Sequence, residues 1–185
     1  MRTPTAIGPL VWVVLCAWGG APTVLAQPRD LPDPDRGLSA EEAEKLVSTV
    51  VVLLDKQAEL GRRMAARDRL GVQFHHRAGV PALRAVMQDE SEGYILRLNA
   101  MRDVLRIGPP EPLTDVIPLL RSADLRVRSG AHELLCAQYR PGREFGFVAG
   151  APPEANELAI RKWEEWWRAS KADFRLNPEG VWMSD

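Results

Sequence analysis

Two stretches of similar layout follow one another in this chain, VPALRAVMQDESEGYILRLNAMRDVLRIG at 80–108 and VIPLLRSADLRVRSGAHELLCAQ at 116–138. Each reads as a short helix with proline near its start, a polar turn and a longer helix. In the second unit Val127, Ala131, Leu134 and Gln138 recur at helical spacing with Leu135 at the edge of the stripe, and Leu96, Ala100 and Leu105 do similar work in the first. Neither unit can bury its apolar face alone. Paired helices repeated in tandem therefore predict an all-α fold of stacked helices, an α-solenoid.

The sequence before these units adds another helix. Ser39 and Glu42 have the spacing of a capping box, in which a hydroxyl and a carboxylate satisfy open backbone donors at a helix start. Leu46, Val50, Leu53, Leu54, Gln57 and Leu60 then recur at helical spacing, which predicts a helix from about Ala40 to Leu60, with a possible extension to Asp68. The β-branched run Val50-Val51-Val52 also suits a buried strand, but the chain offers no second strand for it to pair with.

Further upstream, MRTPTAIGPLVWVVLCAWGGAPTVLAQ begins with Arg2, runs through an apolar segment from Leu10 to Trp18 and ends in Val24-Leu25-Ala26. That pattern predicts a secretory signal peptide over residues 1–26 and an exported, periplasmic or extracellular protein. The apolar run is shorter than the roughly 20 residues a membrane-spanning helix needs. No membrane span is expected once the leader is removed. A lipoprotein leader acylated at Cys16 is the competing reading, and Leu15 is larger than the residue such a leader places before its cysteine. The proline-rich stretch QPRDLPDPDRGL reads as a disordered linker over 27–38, leaving 39–185 as one helical domain. The chain carries 24 basic and 25 acidic residues, a balance that gives no general attraction to nucleic acid. With Cys136 the only cysteine after the leader, no intramolecular disulfide can brace the core.

Several residues are candidates for binding or chemistry. Arg62, Arg63, Arg67, Arg69 and Arg77 stand against one acid, Asp68, in GRRMAARDRLGVQFHHRAG, the only basic concentration in the chain. They are read either as partners for acids elsewhere or, for Arg62, Arg63, Arg67 and Arg69, as a site for anionic polymers. His132 and Cys136 lie four apart on one helix and can supply two metal ligands, with His75 and His76 as distant candidates to complete a set. The alternative reading packs Cys136 against a neighbouring helix. Asp89, Glu90 and Glu92 of QDESEG suit a solvated turn better than a carboxylate pair for hydrolysis. No phosphate loop, Gly-x-Ser-x-Gly elbow or His-Glu-x-x-His motif is present, so no catalytic residue, metal or cofactor is expected.

Near the C-terminus, placing PPEANELAIRKWEEWWRASKADF on a helix gathers Ala159, Ile160, Trp163, Trp166, Trp167 and Ser170 into one stripe, with Phe174 in line if the helix runs that far. Glu164 and Arg168 fall on the other side at ion-pair spacing. This pattern predicts a capping helix whose Trp163 and Trp167 dock near Leu134, Leu135 and Tyr139. Trp166, at the margin, is expected to be partly exposed and available to a partner.

The unit at 116–138 resembles a HEAT repeat through Ile117, Leu119 and Leu120 of an apolar first helix, then Val127, Arg128, Ala131 and Leu134 of the second. Ser122 stands where such repeats usually carry aspartate. Leu96, Arg97 and Ala100 keep the same opening in the first unit. The Phe145-Gly146-Phe147 turn, Pro153-Glu154 and the three tryptophans are similar to the C-terminal continuation of exported bacterial HEAT-like proteins. The resemblance covers about half of the chain beyond the leader. It implies a binding surface or scaffold that engages another protein, with a carbohydrate- or anionic-polymer-binding module as the alternative.

Overall fold

A computed structural model describes residues 32–107, 112–171, 175–176 and 182–183, and it is all-helical apart from a two-residue antiparallel pairing near the C-terminus. The expected leader, Cys16 and Phe174 lie outside the described residues. Seven α-helices occur among the described residues: α1 (Ala40–Leu54), α2 (Leu60–Asp68), α3 (Val80–Gln88), α4 (Tyr94–Ile107), α5 (Pro112–Val116), α6 (Leu125–Gln138) and α7 (Glu157–Ser170). A π turn over Arg69–Phe74 prolongs α2, and a 3-10 turn over Ile117–Arg121 prolongs α5. Arg175–Leu176 (β1) pairs with Trp182–Met183 (β2).

The capping box forms as the sequence predicts: the Glu42 amide donates to Ser39 Oγ at 3.2 Å and the Ser39 amide to Glu42 Oε2 at 2.9 Å. The helix it starts is shorter than the predicted one. Asp55 ends α1, its carboxylate accepting from the Gln57 amide at 2.9 Å and its carbonyl from the Ala58 amide at 3.1 Å. A side chain that bonds its own backbone two residues on competes with helix continuation. The chain reverses, and Leu60 begins α2 as an exposed residue instead of closing the stripe of one long helix. Asp89 makes the same turn after α3, accepting from the Ser91 amide at 2.9 Å and the Glu92 amide at 3.1 Å.

Three helix hairpins result, and an arginine recurs at the fourth residue of each second helix. Arg63 Nε donates to Leu53 O at 2.9 Å, Arg97 Nε to Met87 O at 3.1 Å, and Arg128 Nη1 to Ser122 O at 3.0 Å and Ala123 O at 3.1 Å. All three are buried. Each guanidinium holds carbonyls that the preceding helical segment leaves open at its end. Three residues on stands a buried alanine (Ala66, Ala100, Ala131), and seven on a buried aliphatic residue (Leu70, Val104, Leu135). The inward stripe of α6 thus centres on Leu135, with Leu134 only half-buried.

Side chains tie each hairpin to the next. Lys56 reaches Asp89 at 2.5 Å, Arg63 pairs with Glu92 at 2.6 Å, and Arg84 meets Asp115 at 2.7 Å. Arg126 lies over the Tyr94 ring at 4.1 Å. Leu98 packs on Gly130, where a Cβ would come within 2.5 Å of the leucine, so α4 and α6 touch at a glycine. The turn QDESEG is therefore not simply solvated. The side chain of Glu92 is nearly enclosed, because its carboxylate answers Arg63 of the neighbouring hairpin.

The segment Asp33–Arg36, expected as part of a linker, is docked. Pro34 O accepts from the Arg77 amide at 3.1 Å, Asp35 pairs with Arg77 at 2.8 Å, and His76 Nε2 lies 2.8 Å from Arg36 O.

Helix α7 closes the other end. It packs chiefly on Ile117–Arg121, the first half of the third hairpin, and of the expected seat at Leu134, Leu135 and Tyr139 the Tyr139 ring meets Trp166 at 5.6 Å. Trp163 is fully enclosed and Trp167 nearly so, with Trp167 Nε1 donating to Thr114 Oγ1 at 2.9 Å. Phe145 meets Trp163 edge-on at 5.2 Å, and Gly142 lies against the indole where no Cβ would fit. Gly146 takes φ +83°, the left-handed conformation that glycine adopts without steric cost. Asn156 fixes the loop by accepting from the Val148 amide at 2.7 Å and donating to Val148 O at 2.9 Å. Glu164 is bound by Arg121 at 2.6 Å, which also holds Glu157, so the expected Glu164–Arg168 pair gives way to an anchor between α7 and the third hairpin.

Candidate interaction surface

The first and last of the described helices differ in what they leave exposed. At the α7 end the large aromatic side chains point inward. At the α1 end Leu46, Thr49 and Leu53 face inward, whereas Val47, Val51 and Leu54 are 60%, 62% and 44% exposed. These three lie at i, i+4 and i+7 and form one stripe along the outer face of α1. Single exposed apolar residues are ordinary on a protein surface, but a continuous row marks a place where something docks. Glu44, one turn before Val47, extends the row with an acid.

Helix α2 lies beside α1 and completes this face. Gly130 of α6 looks towards α4, and the position equivalent to it in α2, two residues after the recurring arginine, is Ala65. Among the described residues no hairpin packs on that side of α2, and Ala65 is exposed. Arg62 and Arg69, three before and four after Ala65, share it and are exposed.

The basic segment is therefore divided by helical periodicity. Arg63 and Arg67 turn inward, where Arg63 binds Leu53 O and Glu92 and Arg67 reaches Asp103 at 2.6 Å. Arg62 and Arg69 alone of the four candidates face solvent. Burial pushes the Asp103 carboxyl above its ordinary range, outweighing the attraction of Arg67 and Arg106. Its carboxylate fills the space a Cβ would need at Gly71, so the π turn and the buried pair fit one another only through a glycine.

His132 and Cys136 are in contact, with Nε2 3.2 Å from Sγ, and the imidazole stacks on Phe147 at 4.5 Å. Burial holds His132 below its ordinary pKa and pushes the Cys136 thiol up, against the pull of Arg143. Burial at this contact thus works against formation of a thiolate. Among the described residues no third His, Cys, Asp or Glu joins them in a metal-holding group. His75 is buried with Nδ1 3.3 Å from Gly71 O, and His76 is taken up by Arg36, so neither completes the set.

Trp166 is half-buried, its ring 5.6 Å from both Trp163 and Tyr139. An open cleft of about 290 Å³ lies beside α7, lined by Thr114, Ile117, Pro118, Trp167, Arg168 and Lys171 among others. The outer face of α1 and α2 sets the row of Val47, Val51 and Leu54 beside exposed Glu44, Arg62 and Arg69. Among the described residues no helix is long and apolar enough to cross a membrane. Comparison with known protein families, curated proteins and solved structures gives no match to this chain.

Proposed function

We propose that this protein is a non-catalytic interaction module of HEAT-like, solenoid character that works outside the cytoplasm and docks through the outer face of its first hairpin. The observation that carries the reading is the asymmetry of the stack. A helical repeat array needs a polar outer face at each terminus to stay soluble. Helix α7 supplies one, with Trp163 and Trp167 turned in and Arg161, Lys162 and Glu165 exposed. The α1 end leaves Val47, Val51 and Leu54 in water. The recurrence of an inward arginine, alanine and aliphatic residue in all three second helices supports the repeat reading. Export is supported by the leader-like sequence at 1–26 alone.

The test is native-size fractionation of cell-envelope extracts containing wild-type protein or Val47→Glu. Wild type should elute in a species larger than one chain, and the variant should elute as a single chain with unchanged melting. Equal elution of the two would overturn the reading.

A further inference from the structure

We propose that the cleft beside α7 is a binding site for a carboxylate that carries an apolar group. Its cations set it apart. Helix α7 places Glu164 and Arg168 at the spacing and in the order that ordinarily pair an acid with a base. Arg121 takes up Glu164 at 2.6 Å, so Arg168 is left without its natural partner. Lys171 follows one turn later. Both side chains are exposed, both line the cleft, and neither forms an ion pair among the described residues.

The rest of the lining defines the rest of the ligand. Ile117 and Trp167 reach the cleft from the core and Pro118 from the surface, which gives it an apolar part. Thr114 Oγ1 accepts from Trp167 Nε1 at 2.9 Å, which leaves the hydroxyl proton for a ligand oxygen. A guanidinium matches the two oxygens of a carboxylate, and an ammonium beside it adds a second charge-assisted bond. Glu164 also lines the cleft, and its carboxylate, though offset by Arg121, works against an anion of higher charge. The volume of about 290 Å³ lies at the small end for ligand sites and suits one ring or branched chain with its acid. A free organic acid and the last residue of a peptide both offer this chemistry. The site is separate from the outer face of α1, so its test is independent of the interaction reading.

Titration of the isotope-labelled protein with phenylpropionate, followed by nuclear magnetic resonance at the Trp167 indole N–H, tests this. Wild type should show a saturable shift of that resonance. Phenylpropionamide lacks the charge and acetate lacks the apolar group, and each should leave it nearly in place over the same range. Replacing both cations, Arg168→Ala with Lys171→Ala, should weaken binding about tenfold or more with unchanged melting. An acetylated peptide ending in a free phenylalanine carboxylate separates the two sources: tighter binding than phenylpropionate assigns the site to a peptide terminus, and weaker binding to a free acid. No saturable shift with either carboxylate, an equal response to the amide, or unchanged binding in the double variant would overturn the proposal.

Discussion

At the scale of single residues, the fold depends on side chains that are buried without being plainly apolar. Arg97 is one: enclosed, it spends its Nε–H on Met87 O. Arg97→Met keeps the volume but leaves that carbonyl unanswered, and a lost hydrogen bond to a charged donor costs about 1.5–3 kcal/mol. Thermal or urea unfolding reads the loss directly. Among the described residues Trp163 is the largest fully buried side chain, and Trp163→Ala should cost about 3–5 kcal/mol, a large share of the stability of an ordinary domain. Leu158→Ala, at a residue 65% exposed on the same helix, should leave the unfolding midpoint nearly unchanged. His75 gives the fold a pH dependence. Burial depresses its pKa, the Gly71 carbonyl opposes that shift, and Arg106 adds to it. The unfolded chain has the ordinary value near 6.5. Below that pH the unfolded state binds a proton that the folded state refuses, so stability is complete above about 6.5 and is lost as pH falls through the depressed value. Melting should drop as pH falls below about 6.5, and His75→Gln should flatten part of the slope.

At the scale of elements, the hairpins are joined by pairs whose partners are far apart in sequence. Arg63 and Glu92 are 29 residues apart and nearly enclosed. Removing either partner leaves the other charge buried alone, at a cost of about 3–5 kcal/mol. A double-mutant cycle with Arg63→Met and Glu92→Gln should therefore show the double variant losing far less than the sum of the singles. Additive losses would place the two side chains in separate environments. These couplings also explain what was and was not legible in the sequence. The capping box at Ser39, the helices of the two tandem units and the inward Trp163 are local patterns, and periodicity exposes them. The end of α1 was hidden because Asp55 sits inside an unbroken helical spacing, and only its own bond to the Gln57 amide marks the break. The first hairpin was missed as a helix pair for the same reason, although Arg63, Ala66 and Leu70 carry the spacing seen at Arg97 and Arg128. Helical phase sets Arg62 and Arg69 apart from Arg63, a division that grouping the four as one candidate site passed over. What lay beyond reach was that Glu92 and Asp103 wait for Arg63 and Arg67, because nothing local in a sequence states which distant acid a buried arginine will meet.

At the scale of the whole molecule, the proposed function requires that the α7 end be finished and the α1 end be made for covering. The direct measurement is site-specific photo-crosslinking in living cells, with the reactive group placed at Val51 on the outer face of α1 or at Leu158 on α7. Both positions are more than half exposed, so both accept the probe without disturbing the core. Leu158 stands among polar neighbours on the finished end, whereas Val51 is the middle of an apolar row. A discrete adduct is expected from Val51 and none from Leu158. No adduct from Val51, or the same adducts from both positions, would contradict the proposed function.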